Sequence, residues 1–208
     1  MSKIVTGTPI DSKARSYRTK RISEQVKNNS RYTNKAVNSR REHPNGCALP
    51  GDPLELLMEQ HTVGLAWLEK IAIAVDSIKA EGFSAKAFEI ITGAVKYLGT
   101  EMHRHTESEE KYLFPLIDKH AFDSPMALRH ERREMWQAFN ELQLSVRDVE
   151  EGRIHGTTMR ELLQSAQLVV ERFRNQIEKE NTIIFPMVKR LLTSDEYALL
   201  KQEITASI

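Results

Sequence analysis

From Ser84 to about Lys119 a stripe of large apolar side chains runs through Ile91, Val95, Leu98, Met102, Tyr112 and Leu116, in steps of three and four broken by one gap. That spacing keeps one face of an α-helix apolar. A similar rhythm runs through Leu54, Leu57, Leu65, Leu68, Ala72 and Val75, through Leu128, Met135, Phe139, Leu142, Val146 and Val149, and through Leu162, Ala166, Val169, Phe173, Ile183 and Met187. The punctuation between these stripes agrees with four helices. Asp52-Pro53 offers a capping side chain followed by proline at the first helical position, and EGFS (81–84) separates the first two helices. Asp123-Ser124-Pro125 opens the third and EEGRIHG (150–156) closes it. Thr158 with Glu161 reads as a capping box for the fourth, and a short fifth helix is expected after Thr193. No stretch alternates apolar and polar residues as a strand would. The expected fold is all-α: an antiparallel up-down-up-down four-helix bundle over residues 52–192, with an N-terminal extension over 1–50 and a short C-terminal helix over 193–208.

Polar residues fill the gaps in the stripes. With His105 and Glu109 added, the second series alternates steps of four and three from Ile91 to Leu116 without a fault. Gln176 and Glu180 complete the fourth series in the same way, and His61 fits the first between Leu57 and Leu65. One buried histidine is commonly a satisfied core residue. Two glutamates on buried faces are harder to accommodate, because an unpartnered buried carboxylate costs several kcal/mol or is forced to protonate. A divalent cation removes that cost, since it takes neutral imidazoles and ionised carboxylates converging from several helices. On the third helix His130 and Glu134 repeat the spacing of four, but Glu134 lies at the edge of the apolar face and His130 further round. An exposed, mixed-charge helix start therefore competes with a ligand role there. His103 lies about 200° round the helix from His105 and should point away.

Composition narrows the setting. A hydrophobic fraction of 40%, a charged fraction of 28% and a net charge of +1 are ordinary for a globular protein. The charge is uneven: residues 1–50 carry 11 Lys/Arg against 3 Asp/Glu, and the remainder 19 against 26. A basic, poorly ordered arm is expected before an acidic body, with an acidic partner or the body itself as its natural contact. The lone cysteine, Cys47, excludes an intrachain disulfide and a cysteine-based zinc site. An apolar signal segment and a membrane-length apolar run are both missing, so a cytoplasmic location without membrane contact is expected. No aromatic-rich RNA motif supports nucleic-acid contact.

EQH61, H105TESEEKYLFP, RH130E and QIEKE180NTIIFP together resemble the hemerythrin-like, or HHE cation-binding, family over roughly residues 52–192. The resemblance implies four antiparallel helices around a non-haem di-iron centre, with Mn or Zn as alternative metals. It implies His61, His105 and His130 as terminal ligands and Glu109 and Glu180 as bridges. The family's second H-x-x-x-E is altered here, since Gln176 stands where a histidine is expected. That departure leaves three outcomes open, a mononuclear site, a weaker one or a changed ligand set: Gln176 is then a hydrogen-bond donor in the pocket or a weak ligand, and Glu134 is the candidate replacement, giving three His and three Glu. Such an oxygen-rich set favours the ferric state. The implied function is binding of, or response to, O2, NO or peroxide. Two alternatives stay open: an oxidase or peroxidase, including a ferroxidase, at the same site, and a metal-poor helical scaffold acting through its basic arm.

Overall fold

The structure, a computed structural model, describes residues 51–120 and 124–207. The expected basic arm over 1–50 lies outside the described residues. Helix α1 is Pro53–Glu81 and α2 runs over residues 85–118. Helix α3 is Ser124–Glu150, α4 runs over residues 156–191, and α5 is Ser194–Ser207. The four long helices pack as a bundle, and no strand occurs among the described residues. None of these helices is long and apolar enough to cross a membrane.

Local chemistry explains the helix ends. The Asp52 carboxylate accepts from the Leu54 N–H at 2.9 Å, with Pro53 in the first turn, where its missing N–H leaves nothing unsatisfied. Ser84 caps α2 through the Ala87 N–H. Gly82, at φ +90°, ends α1 in a conformation closed to most side chains. The expected capping box at Thr158 is not formed. Helix α4 starts three residues earlier than that box would place it, at Gly156, with His155 at the cap position, and Thr158 is buried inside the first turn.

The core forms two apolar clusters with a polar layer between them. One contains Leu68, Ile71, Leu98, Met102, Met135, Phe139, Phe173 and Ile177. The other contains Leu54, Leu57, Leu113, Phe114, Leu128, Ile184, Phe185 and Val188, and it is completed by Leu200 and Ile204 of α5. Helix α5 is tied to the start of α1 by the Tyr197 hydroxyl, which donates to Asp52 at 2.7 Å. On α1 Gly64 and Ile71 are buried, with Leu65 and Ala72 only half-buried.

Helices α2 and α4 share a backbone irregularity that the step rule did not anticipate. Each has a π-helical turn beginning at its glutamate, Glu109–Leu113 and Glu180–Ile184. Pro115 and Pro186 follow each turn at the same offset. A proline has no N–H to give to the carbonyl four residues back and crowds that carbonyl. The wide turn relieves this: the Phe114 N–H reaches back to the Glu109 carbonyl, and the Phe185 N–H to that of Glu180. The extra residue shifts the buried face by one. Leu113 is buried where Tyr112 was expected, and Ile184 and Val188 where Ile183 and Met187 were. Ile183 is 54% exposed.

Asp52 joins a helix cap to the α5 contact, so Asp52→Ala should destabilise the fold by about 1–2 kcal/mol. Asp52→Asn keeps a capping oxygen and should recover at least half of that loss. Urea denaturation followed by circular dichroism measures both; equal losses for the two variants would show that the cap contributes nothing.

Candidate metal centre

The polar layer brings together His61 of α1, His105 and Glu109 of α2, and Glu180 of α4, all buried. One donor atom from each lies within 4.8 Å of the other three. The spacing of four that puts His105 and Glu109 on one face also leaves the Glu109 side chain at the mouth of the π turn. Glu180 occupies the corresponding place on α4.

Two amides orient the imidazoles. His61 Nδ1 lies 2.8 Å from Asn181 Oδ1, and His105 Nδ1 lies 2.6 Å from Gln60 Oε1. An amide oxygen only accepts, so each Nδ1 carries the hydrogen and each Nε2 presents a lone pair. The two Nε2 atoms face each other at 2.8 Å. Glu180 Oε2 lies 3.2 Å from His61 Nε2, and Glu109 Oε1 lies 3.5 Å from His105 Nε2. Glu109 Oε1 is buried without a hydrogen-bond partner. Four donor groups thus converge on one spot; a proton on His61 fills the Nε2–Nε2 contact in the metal-free site, and a cation that displaces it satisfies all four. Burial would lower the His61 pKa, but Glu180, and then Glu109, outweigh it and hold it above the ordinary histidine value. The spot attracts positive charge.

The other face of each carboxylate is occupied by Arg132 of α3. Its Nη2 donates to Glu109 Oε2 at 2.7 Å and also to Glu180 Oε1. Its Nη1 reaches Glu110 at 3.2 Å and the Thr106 carbonyl at 3.4 Å, and the guanidinium lies over the Phe114 ring, 4.6 Å from its centroid. Gln176 is buried and donates its amide to Glu180 Oε1 at 2.5 Å. Burial alone would raise the Glu180 pKa; Arg132 and the two imidazoles hold it down to about 2. A groove of about 640 Å³, lined among others by His103, Thr106, Arg132, Arg133 and Trp136, runs along the α2 and α3 side of this layer.

His130 and Glu134 are not brought to the centre. The His130 side chain is 64% exposed and lies 3.7 Å from Glu134, whose other oxygen pairs with Arg172 of α4 at 3.0 Å. On α3 the buried series is Leu128, Arg132, Met135, Phe139, Leu142, Val146 and Val149. Its steps alternate four and three, so the rule that found His105 and Glu109 also points to Arg132. His130, two residues away, faces the opposite side of the helix. Gln60 and Asn181 were also missed; each sits next to a candidate ligand in sequence and carries no periodic signal of its own.

The donors fit one divalent cation, as the orphaned Glu109 Oε1 and the 2.8 Å approach of the two Nε2 atoms indicate. They do not assemble a second set: no imidazole enters from α3, Gln176 supplies an amide, and a guanidinium lies between the glutamates. The family model described as hemerythrin HHE cation binding domain matches residues 52–188, more than half of the chain. Comparison with curated proteins gives no significant match.

His130→Ala and Glu134→Ala should leave the metal content of the purified protein unchanged. Elemental analysis after anaerobic metal loading tests this, and a loss of metal in either variant would place that residue among the ligands.

Proposed function

The chain belongs to the hemerythrin HHE cation-binding family, and on that premise we propose that it holds a non-haem iron ion between His61, His105, Glu109 and Glu180 and uses it to bind or respond to O2, NO or peroxide. The observation that carries the proposal is the convergence of four buried donor groups, with the two imidazole Nε2 atoms 2.8 Å apart. Iron in such a site supplies electron exchange with a small oxygen- or nitrogen-containing ligand. The protein's own contribution is positional. Gln60 and Asn181 fix both imidazole tautomers, and Arg132 and Gln176 fix the outer oxygens of the carboxylates. The apolar clusters on either side keep bulk water from the layer. Two imidazole nitrogens and two carboxylate oxygens form a mixed set that suits iron or manganese.

The metal reading is tested by His105→Ala, which should abolish iron retention while the helical circular dichroism persists. Gln60→Leu should weaken metal affinity by about 10–100-fold, the range for removing a partner that orients a ligand histidine. Retention of iron by His105→Ala at wild-type affinity would exclude the site. The chemical reading is tested by exposing iron-loaded protein to O2, NO or peroxide. A reversible optical change at one equivalent supports binding or sensing, whereas consumption of many equivalents of Fe2+ or peroxide per site indicates an oxidase or peroxidase.

A further inference from the structure

We infer that Arg132 takes the place of a second metal ion, so that the centre is built for a single cation with the guanidinium as its permanent companion. The inference rests on the proposed metal site and narrows it. A single nitrogen, Arg132 Nη2, lies between Glu109 and Glu180, the two carboxylates that the sequence resemblance assigns to bridging a metal pair. Each carboxylate divides its oxygens between two cation positions. Glu109 Oε2 and Glu180 Oε1 go to the guanidinium, while Glu109 Oε1 and Glu180 Oε2 face the imidazoles.

Three further features belong to the guanidinium side. The Gln176 amide donates to Glu180 Oε1, the oxygen that Arg132 also holds, so position 176 serves the guanidinium side of that carboxylate. Glu110, one residue after Glu109, accepts from Nη1 and supplies a third acidic partner for this face. Phe114, from the residue that closes the π turn, covers the plane of the guanidinium. An arginine is charged at every accessible pH and presents a rigid planar fork, so it holds two carboxylates in fixed positions without any ion being bound. The bundle therefore keeps its polar layer assembled in the metal-free state and adds one cation on the imidazole side.

The test is metal stoichiometry on the full chain, loaded anaerobically with Fe2+ and separately with Zn2+, desalted, and read by elemental analysis. One ion per chain is expected. Two ions per chain would overturn the inference and leave the metal-binding proposal standing. No retained ion would overturn the metal-binding proposal and this inference with it. The role of the guanidinium is tested by Arg132→Met, which keeps length and removes charge. Its metal-free form should melt roughly 10 °C below the wild type, the shift expected when a buried ion pair loses one partner. One equivalent of Zn2+ should raise its melting temperature more than it raises that of the wild type. A metal-free melting temperature equal to the wild type's would show that the guanidinium does not neutralise the layer. The double variant Arg132→His with Gln176→His should bind two ions per chain. If it folds with wild-type helicity and still binds one, Arg132 is not what limits the number.

Discussion

The contact on which the rest of the molecule depends is the one from Arg132 to Glu109 and Glu180. Both carboxylates lie in a layer enclosed by apolar clusters above and below. Left without a counter-charge there, each would carry a desolvation penalty of several kcal/mol. Arg132 supplies the charge from α3, and in doing so it links α2 to α4 through the middle of the bundle. Apolar packing alone would let neighbouring helices slide by a turn with modest loss. A bidirectional contact at a buried guanidinium does not, because a one-turn slip would strand a charge. The polar layer thus sets the register in which the two apolar clusters meet.

That register depends on a second constraint, in the backbone. The glutamates enter the layer from the first residues of π turns, and those turns exist because Pro115 and Pro186 cannot complete an α-helical ladder. The wide turn inserts one residue, and the face that packs into the lower cluster moves with it. A reading by constant steps placed Tyr112, Ile183 and Met187 on that face, whereas Leu113, Ile184 and Val188 occupy it. The information was present in the LFP and IFP tails. It lay in what proline does to the hydrogen bonds behind it, and a count of apolar spacings does not register that.

The site was legible to the extent that its residues obeyed the helical step. His61, His105, Glu109, Gln176 and Glu180 interrupt apolar stripes, and they are the residues found in the layer. Arg132 interrupts its stripe in the same way between Leu128 and Met135. Arginine is seldom fully buried, so its place in the stripe carries little weight beside a histidine two residues earlier that matches a motif. Matching the motif selected the residue of the right chemical type on the wrong face, whereas the spacing selects the right face with an unexpected type. Gln60 and Asn181 were not legible by either route. Their part is to accept from Nδ1 of an imidazole on a neighbouring helix, a relation that needs the packed geometry.

The residues at positions 132 and 176 are best understood as one arrangement of charge. The guanidinium faces three carboxylates, Glu109, Glu180 and Glu110, so negative charge predominates around it, and Arg132 and Gln176 direct N–H groups at the same side of the layer. The donors left for a cation then lie on the other side: the unpartnered Glu109 Oε1 and the two Nε2 atoms, with Glu180 Oε2 beside them. One divalent cation there is attracted by both glutamates. A second, placed about 4 Å from the guanidinium, would meet a repulsion of roughly 8 kcal/mol at an effective dielectric constant near 20. That is comparable with the whole stability of a typical domain, about 5–15 kcal/mol. An amide at 176 in place of an imidazole follows from the same balance: on the side that already holds the positive charge, the useful group is a hydrogen-bond donor to the carboxylate, and a further metal ligand would have nothing to bind.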